Sequence, residues 1–186
     1  MSRSFKLILV LAAVLFFAKY FEAKSLTFSR KETDSQIQIG RKVPDFSLQD
    51  VSGRKFSVKD YFQSKAVILW FSNLCGGCQA NIPVLEEVYR KHKKSAELLA
   101  VSQLGRDTKT VKKVIGKLKI SFPFLIDPEG VVCRLYSGGY IPDTCPLNNI
   151  YFIDKNGILK AVTHYPGLSK EELEKNIKML KGGTLK

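Results

Sequence analysis

Residues 66–93 read AVILWFSNLCGGCQANIPVLEEVYRKHK, and no other stretch of the 186-residue chain limits its fold so tightly. Ala66–Asn73 is a continuous run of β-forming, mostly apolar residues. Such a run marks a strand buried on both faces, as in a parallel sheet. From Cys75 onward the period changes: Ile82, Leu85, Val88 and Tyr89 fall on one helical face. Two thiols, Cys75 and Cys78, therefore stand at a strand-to-helix junction, separated by Gly76 and Gly77. A doubly buried strand needs partner strands beside it and helices above and below, which the rest of the chain must supply.

It does so by alternation. VPDFSLQDVSGRKFSVKDYF (43–62) gives a short strand, a Ser-Gly turn, a second short strand and a brief helix. ELLAVSQ (97–103) is a second buried strand, and FPFLID (122–127) a third. Asp107 is placed to cap a helix over Lys109–Lys119, whose apolar positions are Val111, Val114, Ile115 and Leu118. PEGVVCRLYSG (128–138) reads as a helix ending at a glycine. NIYFIDKNGILKAVTHY (149–165) is two strands around an Asp-Lys-Asn-Gly turn. The last helix, SKEELEKNIKML, has Ser169 as N-cap and Glu172 three residues on, a capping box. The expected fold is α/β: a central mixed sheet with helices on both faces.

The amino terminus stands apart. Arg3 and Lys6 precede an apolar run, Leu7 to Ala18, and residues 1–23 read as a signal-anchor or a signal peptide. Twelve helical residues span roughly 18 Å, against about 30 Å of hydrocarbon, so spanning requires extension to Ala23 with Lys19 snorkelling. Either reading exports the domain, anchored to the membrane or secreted after cleavage, and puts all four cysteines in an oxidising compartment. Residues 24–42 are polar and aperiodic, a linker, and 43–183 form the domain. The net charge of +13 comes mainly from lysines on solvated helix faces. No Arg-rich fork or aromatic ladder accompanies them, so nucleic acid is not an expected partner.

The chemistry expected of the pair follows from its place. Residues three apart lie on one helical face. The first cysteine meets backbone N–H groups with no intrahelical partner, and the helix dipole favours negative charge there. This lowers the pKa of Cys75 below that of an ordinary thiol and suits it as nucleophile. Cys78, deeper in the first turn, stays a thiol until it attacks and resolves. Gly76 and Gly77 leave the sulfur uncovered. Metal binding is not expected: zinc sites use four N/S ligands in paired motifs, and His92 and His164 are isolated. No cofactor is called for.

VILWFSNLCGGCQANIPVLEEVYRKH, with Pro83 five residues after the second cysteine, resembles the thioredoxin superfamily, and the likeness runs from about Val43 to Leu180. VPDFSLQDVSGRKFSVKDYF, ISFPFLIDPEGVVCRLY and IYFIDKNGIL resemble its redoxin branch. That branch includes membrane-anchored periplasmic reductases of the TlpA/ResA type and the AhpC/TSA peroxiredoxins. The resemblance implies a thioredoxin-like fold and an exported thiol–disulfide oxidoreductase acting on protein thiols. Apocytochromes, or general periplasmic redox balance, would be its business, with a membrane-spanning thiol carrier as electron donor. It also implies a loop with a cis-proline packed near the pair. Here Asn148 holds the expected place, Pro146 lies two residues earlier, and Cys145 precedes it. Cys145 would then be a third redox thiol or pair with Cys133; otherwise Cys133 is a buried small hydrophobe. Three departures leave Cys78 without an evident base: Leu74 replaces the family's Trp, Leu69 its buried acid, and Asn81 a Glu.

Two other functions remain in contention. A peroxidase would carry P-x-x-x-T-x-x-C, but Ile68 replaces the proline and Asn148 the arginine, while Ser72 keeps the hydroxyl. A copper-binding or non-catalytic module would use C-x-x-x-C and a distal His, one residue longer than the spacing here.

Overall fold

The computed structural model describes residues 37–105, 107–137, 149–164 and 169–181. Seven strands form one sheet: β1 (Ser47–Asp50), β2 (Lys55–Ser57), β3 (Ala66–Ser72), β4 (Ala96–Ser102), β5 (Phe124–Ile126), β6 (Asn149–Ile153) and β7 (Leu159–His164). Their order is β2-β1-β5-β4-β3-β6-β7. The centre is parallel, β3 with β4 and β4 with β5. Antiparallel pairs flank it on both sides. The sheet is thus mixed at two edges, not one, because the opening β1–β2 hairpin joins it through β5. Four helices, α1 (Gly76–His92), α2 (Thr108–Leu118), α3 (Val131–Ser137) and α4 (Lys170–Leu180), and a 3-10 turn at Val58–Tyr61 complete the described elements.

Every residue of β3 and β4 is buried, as a strand covered on both faces demands. Alternation then splits the core in two. Ile68 and Trp70 face Cys78, Ile82, Leu85 and Val88 of α1, Val111 and Val114 of α2, and Leu173 and Ile177 of α4. Val67, Leu69 and Phe71 face Phe46, Val58 and the α3 residues Val132, Cys133 and Tyr136. So α1, α2 and α4 cover one face, α3 and the 3-10 turn the other.

The expected caps are in place: Asp107 accepts from Thr110 N–H, and Ser169 and Glu172 form the reciprocal box. Residues 37–42, at the end of the segment read as linker, run beside β7. Gly40 N–H donates to Leu159 O, Leu159 N–H to Arg41 O, and Lys42 bridges Ile158. The terminal segment 1–23 lies outside the described residues, and no helix among the described residues is long and apolar enough to cross a membrane. In a thioredoxin-like sheet of this order, β3, β4 and β5 all point their carboxyl ends at one edge of the domain. That edge carries the start of α1 and the start of α3, and with them Cys75, Cys78 and Cys133.

Candidate active site

Between the end of β3 and the start of α1 lie Asn73, Leu74 and Cys75. Ser72 Oγ accepts the Leu74 N–H at 3.0 Å. Leu74 takes φ 56°, a left-handed conformation costing a residue with a Cβ roughly 1 kcal/mol. Its side chain is buried in the α1-side core, which offsets that cost. Gln79 Nε2 donates to Leu74 O at 2.7 Å and fixes the turn from the helix side.

The turn delivers Cys75 to the N-cap of α1, where its Sγ accepts the Cys78 N–H at 3.4 Å. A side-chain acceptor in this position satisfies one of the orphan donors of the first turn. An anionic sulfur does so better than a neutral one, and the dipole of a 17-residue helix adds to the preference. Cys75 is half-buried and Cys78 fully buried. Their sulfurs stand 3.0 Å apart, a contact in which either can donate to the other. Gly76 and Gly77 are exposed, and a Cβ at Gly76 would meet nothing within 4 Å.

Asn73 is the residue the sequence did not single out. Its Oδ1 accepts the Cys75 N–H at 3.1 Å and receives Cys78 Sγ at 3.3 Å. A backbone N–H can only donate, so the amide atom facing it must be the oxygen, and the side chain's orientation is fixed. One carboxamide thus ties the backbone of the first cysteine to the thiol of the second. Short polar side chains after a strand usually read as turn formers, which hid this role. Ser72, three residues before Cys75, spends its hydroxyl on the turn.

Cys133 is in the first turn of α3, on the other face of the sheet. It is 1% exposed. Its N–H donates to Asp127 Oδ2 at 2.8 Å, and Val131 N–H to Asp127 Oδ1 at 3.0 Å. Burial pushes the Asp127 carboxyl above the ordinary carboxylate range even against these bonds. Gln103, buried at the end of β4, donates from Nε2 to Cys133 Sγ at 3.4 Å and from its N–H to Ser72 O at 2.8 Å. Cys145, Pro146 and Asn148 lie outside the described residues.

The two histidines stand apart from the thiols. His164 Nδ1 pairs with Asn149 Oδ1 at 2.7 Å in β7, and His92 closes α1. Among the described residues no three His, Cys, Asp or Glu side chains gather as a metal site would need. Leu69 is sealed in the α3-side core, and Asn81 is half-buried on α1.

The model of the AhpC/TSA family matches residues 39–162 of the chain. The thiol–disulfide oxidoreductase ResA of Bacillus cereus (strain ATCC 10987 / NRS 248) is 31% identical over 156 residues, covering 82% of this chain and 83% of that protein. ResA of Geobacillus thermodenitrificans is 28% identical over 182 residues, 96% of this chain and 94% of its own. Among solved structures, a putative thiol:disulfide interchange protein DsbE from Chlorobium tepidum superposes with a TM-score of 0.66 at 27% identity. That match covers 78% of this chain and 99% of the other.

Proposed function

Since the chain belongs to the AhpC/TSA family and is a thiol–disulfide oxidoreductase, we propose that Cys75 is its nucleophile and Cys78 its resolving thiol. The observation that carries this assignment is the pair's asymmetry: one sulfur half-buried at a helix N-cap, the other fully buried 3.0 Å away. The Cys75 thiolate attacks a substrate disulfide. A Cys75–substrate bond forms, the substrate S–S bond breaks, and the departing substrate thiolate takes a proton from water. Cys78 then gives up its proton and attacks Cys75 Sγ. The intramolecular disulfide forms, and the second substrate sulfur leaves as a thiolate. The pair is oxidised by two electrons and the substrate reduced by two. The oxidised pair runs the same steps backward on a substrate dithiol.

The substrates in this reading are exported protein thiols and disulfides, apocytochromes among them, and a membrane thiol carrier renews the pair. Residues 1–23 hold the protein at the membrane or direct its secretion, 24–42 link, and 43–183 work outside the cytoplasm. The near full-length match to a ResA supports this arrangement, because that match runs through the amino-terminal segment as well as the domain. Pro146 and Cys145 would supply the loop facing the pair.

Trapping tests the assignment. In Cys78→Ser, mixed disulfides with exported proteins should accumulate through Cys75 and dissolve in reductant, and Cys75→Ser should trap none. Equal trapping by both variants overturns it. Hydrogen peroxide supplies a second readout, in which Cys75 should oxidise no faster than a free thiol; faster oxidation would favour the peroxidase reading.

A further inference from the structure

The exchange mechanism needs Cys78 to keep its proton through the first step and lose it in the second. We propose that Asn73 is the positioning residue that sets this order, by holding the Cys78 proton with an oxygen that cannot take it away. The inference rests on the exchange chemistry above and adds to it the control of the resolving step.

Among the described residues, two acceptors lie within reach of the Cys78 S–H: Cys75 Sγ at 3.0 Å and Asn73 Oδ1 at 3.3 Å. While Cys75 is a thiolate, it is the stronger acceptor, since hydrogen bonds to charged groups outrank those to neutral ones. Once Cys75 is bonded to a substrate sulfur it carries no charge, and Asn73 Oδ1 becomes the stronger of the two. A hydrogen bond made by the neutral form disfavours ionisation, so Cys78 stays protonated in the mixed disulfide. The Cys75 N–H, 3.1 Å from the same oxygen, keeps the carboxamide aimed at Cys78 throughout. An amide oxygen is no base near neutrality. With this amide as its holder, Cys78 gives its proton to hydroxide in the resolving step, forming water. The freed lone pair makes the Cys75–Cys78 bond, and the pair of the Cys75–substrate bond leaves on the substrate sulfur. Resolution should then be first order in hydroxide, and the mixed disulfide long-lived at low pH.

The experiment uses the full-length reduced protein and 5,5′-dithiobis(2-nitrobenzoate) in stopped flow. The first released thionitrobenzoate reports attack by Cys75 and the second reports resolution by Cys78. In the unaltered protein the second phase should quicken about tenfold per pH unit between roughly pH 6 and 8, without a plateau. Asn73→Asp keeps the acceptor geometry but can take the proton. Its second phase should be at least tenfold faster at about pH 6.5, and its pH dependence shallower. Asn73→Ala removes the acceptor and adds no base. It should resolve about threefold faster or more with the slope unchanged. A flat second phase in the unaltered protein overturns the proposal, as does resolution in both variants at the unaltered rate and slope. If these variants do not fold, Asn73→Ser, whose shorter side chain draws its oxygen away from Cys78, should resolve faster with the slope unchanged, and the unaltered rate there would overturn the proposal. Failure of the underlying exchange reading looks different: the first phase would then survive in Cys75→Ser.

Discussion

Cys75 and Cys78, at the start of α1, and Cys133, at the start of α3, occupy the same kind of place and should behave in opposite ways. Each stretch follows a central strand, and each lies in the first turn of a helix. At α1 the sulfur itself is the cap: Cys75 Sγ accepts the Cys78 N–H at the head of a 17-residue helix, with open space above Gly76. At α3 a carboxylate is the cap: Asp127 takes the N–H groups of Val131 and Cys133, and the thiol is turned inward to Gln103. Reactivity therefore depends on which group satisfies the helix's first N–H groups, and on whether the sulfur faces outward.

The largest expected effect that would break this contrast is at Cys75. Cys75→Ser should lower exchange with a protein disulfide by at least about a thousandfold, because it removes the proposed nucleophile. Cys133→Ala should leave that rate within about twofold, since its sulfur is buried in the core on the sheet face opposite Cys78; a large loss would erase the distinction between the two thiols. The same Cys133→Ala change should cost about 1 kcal/mol in urea unfolding, as loss of a methyl-sized buried group does. The smallest effect separates scaffold from chemistry. Burial pushes the Glu86 carboxyl of α1 up, but hydrogen bonds from Ser121 and Arg90 outweigh it and hold it below the usual range. A lowered folded pKa contributes stability above the unfolded value of 4.5, lost as pH falls through the folded one. Glu86→Gln should thus cost about 1 kcal/mol near pH 7, shrinking toward pH 3, with the exchange rate unchanged.

The framework of this contrast was legible in the sequence because it rests on periodicity. The apolar run Ala66–Ser72, the switch to helical spacing after Cys75, the Asp107 cap and the Ser169–Glu172 box all recur as expected. The second antiparallel edge was not legible, since β1 pairs with β5 across more than seventy residues of chain and no local pattern announces it. Asn73 escaped for another reason. Its function comes from a backbone conformation, Leu74 at φ 56°, that folds the carboxamide back over both cysteines. Leu is not a residue whose presence signals a left-handed turn. The same geometry turned an apparent deficit, the lack of a nearby acid at Leu69 and Asn81, into a question that a neutral amide answers.

The central claim is that a helix terminus keeps Cys75 ionised near neutrality, and alkylation tests it most directly. The reduced protein is treated with iodoacetamide across roughly pH 5 to 10, and each cysteine is followed separately by mass spectrometry. Cys75 should react with a midpoint at least about one unit below the ordinary thiol value of about 8.5, while Cys133 stays unmodified until the protein unfolds. A Cys75 midpoint at or above that of free cysteine would contradict the account.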